Sequence, residues 1–498
     1  MSRFTHIISR HAAALILTSC VITLAHAEPP QVNRLFPLGG TRGTSVEVQL
    51  YGKLPEGGVQ FWTHAAGLSW EPIVAEGKKD LYRVSIDSNA EPGVRFVRVF
   101  DGKGASKLLR FVIGTLPETN ESEPNDALKQ SQTIEADPIL INGVLQARND
   151  VDLFRVKVKA GSTLVASVNA HRDLASPLDA CLQIIDLRGN VLRQNLDAFG
   201  LDPMTSWTAK EDAEVIVRVY GYPAAPDSTI SFAGGEDYAY RLTLSSSTSG
   251  DSAMATDNTK PVTDLPRFTE DPSTPASTPD AVTPTAVTPP ILITGRIEAR
   301  GEVDAYVATF KKDEAWRLRV QSRSLGHELD PVLTISDSSG KQLQRIDDVG
   351  QEADPSLVWK VPADGDYVIR LFDLHRRGGE SFLYRLWLEL DKPELVMRTP
   401  NDLYKGKVGE PLELAISLDR RGGFAEPVTL KVTGLPDTIT CQPVTSESTG
   451  DSAKSLKLKL EAKEAWSGPV QIETEPAAHR VRTQTTELDQ IWITIDPA

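Results

Sequence analysis

The chain reads Asp152-Leu153-Phe154-Arg155-Val156-Lys157-Val158, in which apolar and polar residues alternate as they do in a half-buried β-strand. The pattern returns at Asp304-Ala305-Tyr306, so this stretch belongs to an internal repeat. The other shared positions of the first copy and their counterparts in the second are Gly143 and Gly295, Asp202 and Asp354, Trp207 and Trp359, and Tyr240 and Tyr384. We expect residues kept in both copies to serve the fold.

Similar alternating runs extend outward from the repeat over most of the chain. They include residues 46–50, 215–219, 316–320 and 456–460. Gly, Asn, Asp and Pro interrupt these runs at short intervals, and no long stretch has helical periodicity. A chain of 498 residues is too long for one core. The sequence therefore predicts an all-β protein of tandem β-sandwich domains.

The N-terminus has the pattern of a secretory signal peptide. Basic residues precede an apolar run that is too short to cross a bilayer stably, and Ala25-His26-Ala27 forms an A-x-A cleavage site. We expect a signal peptide over residues 1–27 and a secreted, periplasmic or cell-surface protein. Leu17-Thr18-Ser19-Cys20 resembles a bacterial lipobox, so a lipoprotein anchored at Cys20 is the alternative.

The charge of the chain bears on its partners. The net charge is −15, and no basic cluster interrupts the acidic composition. Such a chain is not expected to bind nucleic acid or anionic lipid, and no second apolar run predicts a transmembrane span. Cys181 and Cys441 fall in different predicted modules, so each is expected to be a buried thiol.

Two predicted modules flank the repeats, and a spacer separates the two copies. Residues 28–115, with Leu35-Phe36-Pro37-Leu38-Gly39-Gly40 near their start, resemble IPT/TIG-type immunoglobulin-like domains. Residues 392–498 resemble immunoglobulin-like domains of large bacterial surface proteins. Residues 247–290 are rich in Ser, Thr and Pro, a composition that predicts an extended linker.

The first copy, residues 118–246, opens with Glu121-Ser122-Glu123-Pro124-Asn125-Asp126 and continues with Asp150-Val151-Asp152. It resembles the bacterial pre-peptidase C-terminal (PPC) domain family. The second copy, residues 291–391, matches the body of the domain but lacks the acidic string. The resemblance implies small β-sandwiches appended to exported proteins, some of which are similar to domains that take up Ca²⁺ at this opening.

The acidic opening is the candidate metal site. Ca²⁺ prefers six to eight hard oxygen ligands in a flexible geometry. The candidate ligands are Glu121, Glu123, Asn125, Asp126, Asp150 and Asp152. The alternative is structural: Pro-Asn-Asp is also a turn or helix-cap sequence, and Asp152 recurs as Asp304 in the copy without the string. On that alternative Asp152 stabilises the fold, for example by accepting backbone N–H bonds.

Other motifs give weaker signals. His171-Arg172-Asp173-Leu174 imitates a kinase catalytic loop but lacks an accompanying phosphate loop, and no zinc spacing or G-x-S-x-G elbow is present. Trp62 and Trp70 could form a sugar-stacking platform, although core packing is the simpler interpretation. A longer loop in the first copy carries Tyr220 and Tyr222, which we expect to contact a ligand.

Together these features favour a non-catalytic exported binding or scaffold protein that recognises an extracellular protein or polysaccharide. One alternative is an accessory subunit of a separately encoded secreted protease or glycosidase. A hydrolase of unfamiliar type is a further alternative.

Overall fold

The computed structural model describes residues 28–77, 79–198, 200–223, 231–247, 266–269, 282–325, 327–348, 354–379, 382–475 and 479–498. The predicted signal peptide and much of the predicted linker lie outside these residues. The described residues form four β-sandwiches, so the predicted all-β fold class is confirmed. Among these residues, no helix has the length and apolar character that crossing a membrane requires.

The first sandwich is formed by residues 31–114. Its strands are β1 (Gln31–Phe36), β2 (Gly39–Thr41), β3 (Ser45–Lys53), β4 (Gln60–Thr63), β5 (Leu68–Pro72), β6 (Leu81–Ile86), β7 (Gly93–Asp101), β8 (Gly104–Ala105) and β9 (Leu109–Gly114). One sheet has the order β1-β3-β6-β5, and the other has the order β2-β9-β7-β4, with β8 beside β7. Fully buried Val48, Val84 and Phe111 lie between the sheets.

The second sandwich contains the first copy of the repeat. Its strands are β10 (Glu118–Asn120), β11 (Gln132–Thr133), β12 (Ile139–Val144), β13 (Val151–Val158), β14 (Thr163–Asn169), β15 (Ala180–Ile185), β16 (Val191–Asn195), β17 (Met204–Thr208), β18 (Ala213–Gly221) and β19 (Ala239–Ser247). The two sheets have the orders β10-β12-β19-β14-β17 and β11-β13-β18-β15-β16. A short helix, α1 (His171–Leu174), follows β14.

The third sandwich contains the second copy and has the same strand order as the first copy. Its strands are β20 (Arg267–Thr269), β21 (Thr285–Ala286), β22 (Ile291–Arg296), β23 (Asp304–Phe310), β24 (Ala315–Gln321), β25 (Pro331–Ser336), β26 (Gln342–Ile346), β27 (Ser356–Lys360), β28 (Gly365–Asp373) and β29 (Leu383–Leu390). The sheet orders are β20-β22-β29-β24-β27 and β21-β23-β28-β25-β26. A 3-10 turn, Arg323–Leu325, stands where α1 stands in the first copy.

Strands β20 and β21 lie inside the stretch predicted as a spacer, so the start predicted for the second copy, residue 291, is too late. Both strands pair in parallel with the sandwich, β20 with β22 and β21 with β23. Phe268 and Val287 pack against its core from this stretch. The Ser/Thr/Pro-rich composition of the stretch predicts a linker, because it contains few apolar residues. The two single apolar contacts are nevertheless enough to hold short strands at the sheet edges.

The fourth sandwich is formed by residues 394–496. Its strands are β30 (Glu394–Thr399), β31 (Leu403–Lys407), β32 (Leu412–Arg421), β33 (Val428–Thr433), β34 (Ile439–Cys441), β35 (Val444–Ser446), β36 (Ser455–Ala462), β37 (Trp466–Glu475), β38 (Arg482–Thr483) and β39 (Ile491–Asp496). The sheet orders are β34-β36-β32-β30-β38 and β31-β39-β37-β33-β35. A 3-10 turn, Asp451–Ala453, precedes β36.

The repeated Asp before Pro has the same structural role in both copies. The Asp202 carboxylate accepts backbone N–H bonds from residues 170, 171 and 172 at 2.7 to 3.0 Å. Asp354 accepts the equivalent bonds from residues 322, 323 and 324 at 2.9 to 3.0 Å. Each carboxylate thereby satisfies the backbone donors of a short helical turn that follows a core strand.

Charged and aromatic contacts join the first sandwich to the second and to the fourth. The Arg241 guanidinium is buried at the junction with the second sandwich, where it pairs with Glu118 at 2.6 Å and donates to the Val112 carbonyl at 3.3 Å. At the other junction Arg98, 2% exposed, pairs with Asp402 at 3.1 Å. Buried arginines with carboxylate partners hold these domain contacts in place.

Candidate functional site

The acidic string lies between β10 and β11, where the chain crosses from one sheet of the second sandwich to the other. Its first residue continues the pairing of β10, because the Glu121 N–H donates to the Asn142 carbonyl at 2.9 Å. The Glu121 carboxylate then accepts the Val144 N–H at 2.9 Å. These two bonds fix Glu121 above the end of β12.

Three of the six predicted ligands converge. Carboxylate oxygens of Glu121, Glu123 and Asp152 lie within 4.8 Å of one another. Glu121 is part-buried, Glu123 is exposed and Asp152 is fully buried on β13. The cluster is therefore reached from solvent on the Glu123 side and closed by the sandwich on the Asp152 side.

Asp152 is held by a tyrosine that is part of the repeat. The Tyr240 hydroxyl donates to Asp152 Oδ2 at 2.5 Å, and the Tyr240 ring lies over Gly143, where a Cβ would be 2.2 Å from it. In the second copy the Tyr384 hydroxyl makes the same bond to Asp304 at 2.5 Å. The shared aspartate thus accepts a hydrogen bond from a tyrosine hydroxyl. The sequence-based alternative, in which Asp152 stabilises the fold, named backbone N–H groups as example donors.

The first copy also buries polar atoms that have no hydrogen-bond partner among the described residues. They are Asp152 Oδ1, Asn142 Oδ1 and both side-chain polar atoms of Asn125, whose side chain is fully buried. Leaving a buried polar atom unpaired costs about 1–3 kcal/mol. The free oxygens of Asp152 and Asn125 are hard donors of the kind that Ca²⁺ prefers.

The electrostatics of the cluster follow from burial and from like charges. Burial raises the pKa of Glu121 well above its ordinary value, and the neighbouring Asp152 carboxylate adds to the effect. Burial likewise raises the pKa of Asp152, although the hydrogen bond from Tyr240 opposes that rise. Two carboxyls that resist ionisation together indicate a site in which a positive charge would stabilise both.

The remaining two acidic residues form a second pair beside the cluster. Asp126 accepts the Val151 N–H at 3.5 Å, and Asp150 accepts the Gln146 N–H. Burial and a side-chain hydrogen bond with Asp126 raise the pKa of Asp150 to about 6. All six predicted residues therefore lie in one region, with Glu121, Glu123 and Asp152 as its tightest group.

The predicted tyrosine contacts separate into a packed residue and an exposed one. The Tyr220 ring packs against Phe232 in a tilted arrangement with the ring centres 4.6 Å apart, and its hydroxyl accepts from Gln183 at 3.2 Å. Tyr222 is 50% exposed. Residues 224–230 of the same loop lie outside the described residues, so ligand contact by Tyr220 and Tyr222 stays a prediction.

Trp62 and Trp70 form no joint platform. Trp70 stacks on Phe61 at 4.4 Å against the core of the first sandwich, while Trp62 faces Trp492 of the fourth at 6.3 Å. The kinase-like string at residues 171–174 is also structural. Its backbone carbonyls at residues 172 and 173 accept from Arg110 of the first sandwich at 3.1 and 3.2 Å.

Tyr240 is the residue of this site that the sequence analysis did not assign. Its recurrence as Tyr384 was visible, but a tyrosine in an alternating strand is ordinarily a core residue. Its hydroxyl contact depends on a partner 88 residues away, which no local pattern indicates.

The fold and the site define a class: a protein of tandem β-sandwiches with a buried acidic cluster in one of two topologically equivalent repeats. No family model matches the chain, and no curated protein matches it. Solved structures with local likeness include the pre-peptidase C-terminal domain of a collagenase from Bacillus anthracis. That match has 11% identity, covers 22% of this chain and 95% of that one, and has a TM-score of 0.18.

Two further structures have a similar local likeness. One is a secreted protein from Eubacterium rectale, with 10% identity, 41% of this chain and 71% of that chain covered, and a TM-score of 0.18. The other is the D00-D0 domain of intimin, with 12% identity, 41% of this chain and 99% of that chain covered, and a TM-score of 0.17.

Proposed function

We propose that this chain is an exported, non-catalytic binding and scaffold protein whose first repeat binds Ca²⁺. The observation that carries the calcium proposal is the convergence of Glu121, Glu123 and Asp152 beside the unpaired side chain of Asn125. Ca²⁺ would supply the positive charge that these groups lack and would take up the free oxygens of Asp152 and Asn125. Asp126 and Asp150 lie close enough in the fold to extend the shell.

The position of the cluster suggests what the cation would do. The chain from Glu118 to Asp126 enters the second sandwich directly after the junction with the first, and Glu118 already pairs with Arg241 there. A cation held by Glu121, Glu123 and Asp152 would tie this entering segment to β13. It would thereby stiffen the junction between the first two sandwiches.

Export and binding are supported by sequence features. Ala25-His26-Ala27 ends a signal-peptide pattern, and the chain has no recognisable catalytic motif. Repeated sandwiches whose loops differ between the two copies suit a scaffold that presents binding surfaces. The partner class we propose is an extracellular polysaccharide or protein.

The calcium proposal is tested by calorimetric titration of the full chain with Ca²⁺. We expect saturable binding in the wild type and loss of that binding in Glu121→Gln/Glu123→Gln. The matched control is Glu135→Gln, which changes an exposed glutamate of the same repeat that pairs only with Lys157. No heat in the wild type, or equal binding in the double variant, would overturn the proposal. The non-catalytic role fails if pure protein hydrolyses peptides or glycosides.

A further inference from the structure

A groove of about 1200 Å³ lies where the second repeat meets the fourth sandwich. It is far in sequence from the acidic cluster. Four arginines line it: Arg317 and Arg319 on β24, Arg323 in the following turn, and Arg421 at the end of β32. Four carboxylates line it as well, so the groove alternates positive and negative groups in a chain of net charge −15.

Arg319 is held in place and has no carboxylate at ion-pair distance, although Glu389 and Glu394 attract its charge from farther away. Its guanidinium carbon lies 4.6 Å from the centre of the Trp387 ring, and the two residues are direct cross-strand neighbours. The Trp387 indole is fixed in turn because its Nε1–H donates to Gln321 at 3.0 Å. Within the described part of the chain, Arg319 makes no ion pair or hydrogen bond. A stacked guanidinium with free N–H groups is prepared to bind a carboxylate in bidentate fashion.

The neighbouring arginines are placed by the contact between the domains. Arg421 lies directly across from Glu394 in the pairing of β30 with β32, and it pairs with Asp419 at 2.6 Å. The next residue, Gly422, packs on the connecting chain, where an added Cβ would be 2.2 Å from the Lys392 carbonyl oxygen. Arg317 is already neutralised, because it pairs with Asp391 at 2.7 Å. Arg323 pairs with Asp330 at 3.8 Å. Among the described residues, Arg319 is therefore the one guanidinium of the groove with no carboxylate at ion-pair distance.

The first copy of the repeat shows that the fold does not require these side chains. The pair that matches Arg319 and Trp387 in strand register is Ser167 and Thr243. Val165 stands in the position of Arg317. Because both copies form the same two sheets, the fold of the second copy does not depend on the arginines or the tryptophan.

The other residues that line the groove restrict the ligand. Asp354, Glu389, Asp391 and Glu394 also face the groove and would repel a dense polyanion. Exposed apolar anchors of the kind that hold a peptide are scarce. Among the described residues of the lining, Val358, 52% exposed, is the one large apolar side chain that is exposed. The polar side chains among them suit hydroxyl groups. A ligand with isolated carboxylates among many hydroxyls meets all three conditions.

We propose that this groove binds a uronate-bearing polysaccharide, with the carboxylate of one sugar seated on the stacked guanidinium of Arg319 and flanked by Arg421. Gln321, Ser324 and Ser356 face the same groove and can hydrogen-bond to the sugar hydroxyls. The inference names a ligand for the binding role proposed above, and it uses none of the residues of the acidic cluster.

The test is a calorimetric titration of the full chain with a short xylo-oligosaccharide that carries a single glucuronate, carried out in EDTA. The chelator keeps the acidic cluster free of metal, so the outcome is independent of Ca²⁺ binding by the first repeat. We expect saturable binding in the wild type and at least about tenfold weaker binding in Arg319→Ser, which places the first copy's residue in the second. Arg319→Lys, which keeps the charge but loses the fork, should be intermediate.

Controls separate the ligand class and the fold. Arg345→Gln changes an exposed arginine on β26 of the same repeat and should bind like the wild type. Equal binding by Arg319→Ser, equal binding of the same xylo-oligosaccharide without the glucuronate, or no binding of the glucuronate-bearing one would overturn the proposal. Preferential binding of polyglutamate would overturn it in favour of an acidic peptide. If Arg319→Ser has a lowered melting temperature, Arg421→Gln decides the question, because that side chain is 42% exposed.

Discussion

Removing the Glu118 carboxylate is predicted to destabilise the second sandwich strongly. The partner, Arg241, is 2% exposed and Glu118 is 9% exposed, so the Glu118→Ala variant leaves a guanidinium in a site that water does not reach. Glu118 also accepts from Asn142 at 3.0 Å, and this bond is lost as well. Breaking a buried ion pair by removing one partner costs about 3–5 kcal/mol.

The size of the effect can be read from hydrogen exchange measured by mass spectrometry on the full chain. Since 1.4 kcal/mol is a factor of ten, the protection of amides in β12 and β19 should fall by more than about 100-fold. Lys159→Ala is the matched control in the same sandwich. Lys159 and Asp212 are 2.9 Å apart, but their side chains are 81% and 64% exposed. Losing such a pair costs less than about 1 kcal/mol.

The comparison between these two variants decides whether burial is the reason that the Glu118–Arg241 ion pair contributes more to stability than an exposed pair does. If Glu118→Ala and Lys159→Ala lower protection equally, the Arg241 site is open to water and the argument from burial is refuted. Glu118→Gln keeps the hydrogen-bonding shape without the charge and should lie between the wild type and Glu118→Ala. A loss confined to β10 would also contradict the prediction, because the pair ties β10 to β19.

The remaining predictions concern pH and the contact between the first and fourth sandwiches. Burial raises the pKa of Glu121 and Asp152 in the folded state, so the folded protein binds more protons than the unfolded chain does. The metal-free first repeat should therefore become less stable as pH rises from about 5 to 8. Thermal unfolding measured in EDTA checks this. Ca²⁺ affinity should rise over the same range because protons compete for the same carboxylates, and a pH-independent affinity would contradict the assignment. Asp402→Ala should remove the anion that pairs with buried Arg98 at 3.1 Å and so weaken the contact between the first and fourth sandwiches. We expect a larger radius of gyration in X-ray scattering. An unchanged radius would show that the aromatic contacts alone hold these two sandwiches together.

The internal repeat predicted structural roles reliably, because residues that recur in both copies occupy equivalent positions of the same fold. Asp202 recurs as Asp354, and both carboxylates cap the turn after an equivalent strand. Tyr240 recurs as Tyr384, and both hydroxyls bind the aspartate at the start of the equivalent strand. The roles themselves were not predictable, since each joins residues that are distant in sequence.

The predictions that failed or stayed incomplete rest on tertiary proximity. Trp62 and Trp70 are close in sequence, but β4 and β5 belong to opposite sheets, and the two rings pack in different places. The edge strand β20 was missed because one apolar residue, Phe268, seats it in a polar stretch. The average composition of the segment is polar, whereas the pairing of β20 depends on the one contact that Phe268 makes with the core.

The sequence alone determined the all-β class, the repeat and the confinement of the acidic string to one copy, because alternation, turn residues and charge are local properties. Tertiary structure alone decided that Glu121 and Glu123 meet Asp152 from the next core strand and leave the Asn125 side chain unpaired. It also decided that arginines from the second repeat and from the fourth sandwich share one groove. The reason is physical: carboxylates and guanidinium groups act over a few ångströms, and only the register and contact of the sheets bring distant residues within that range.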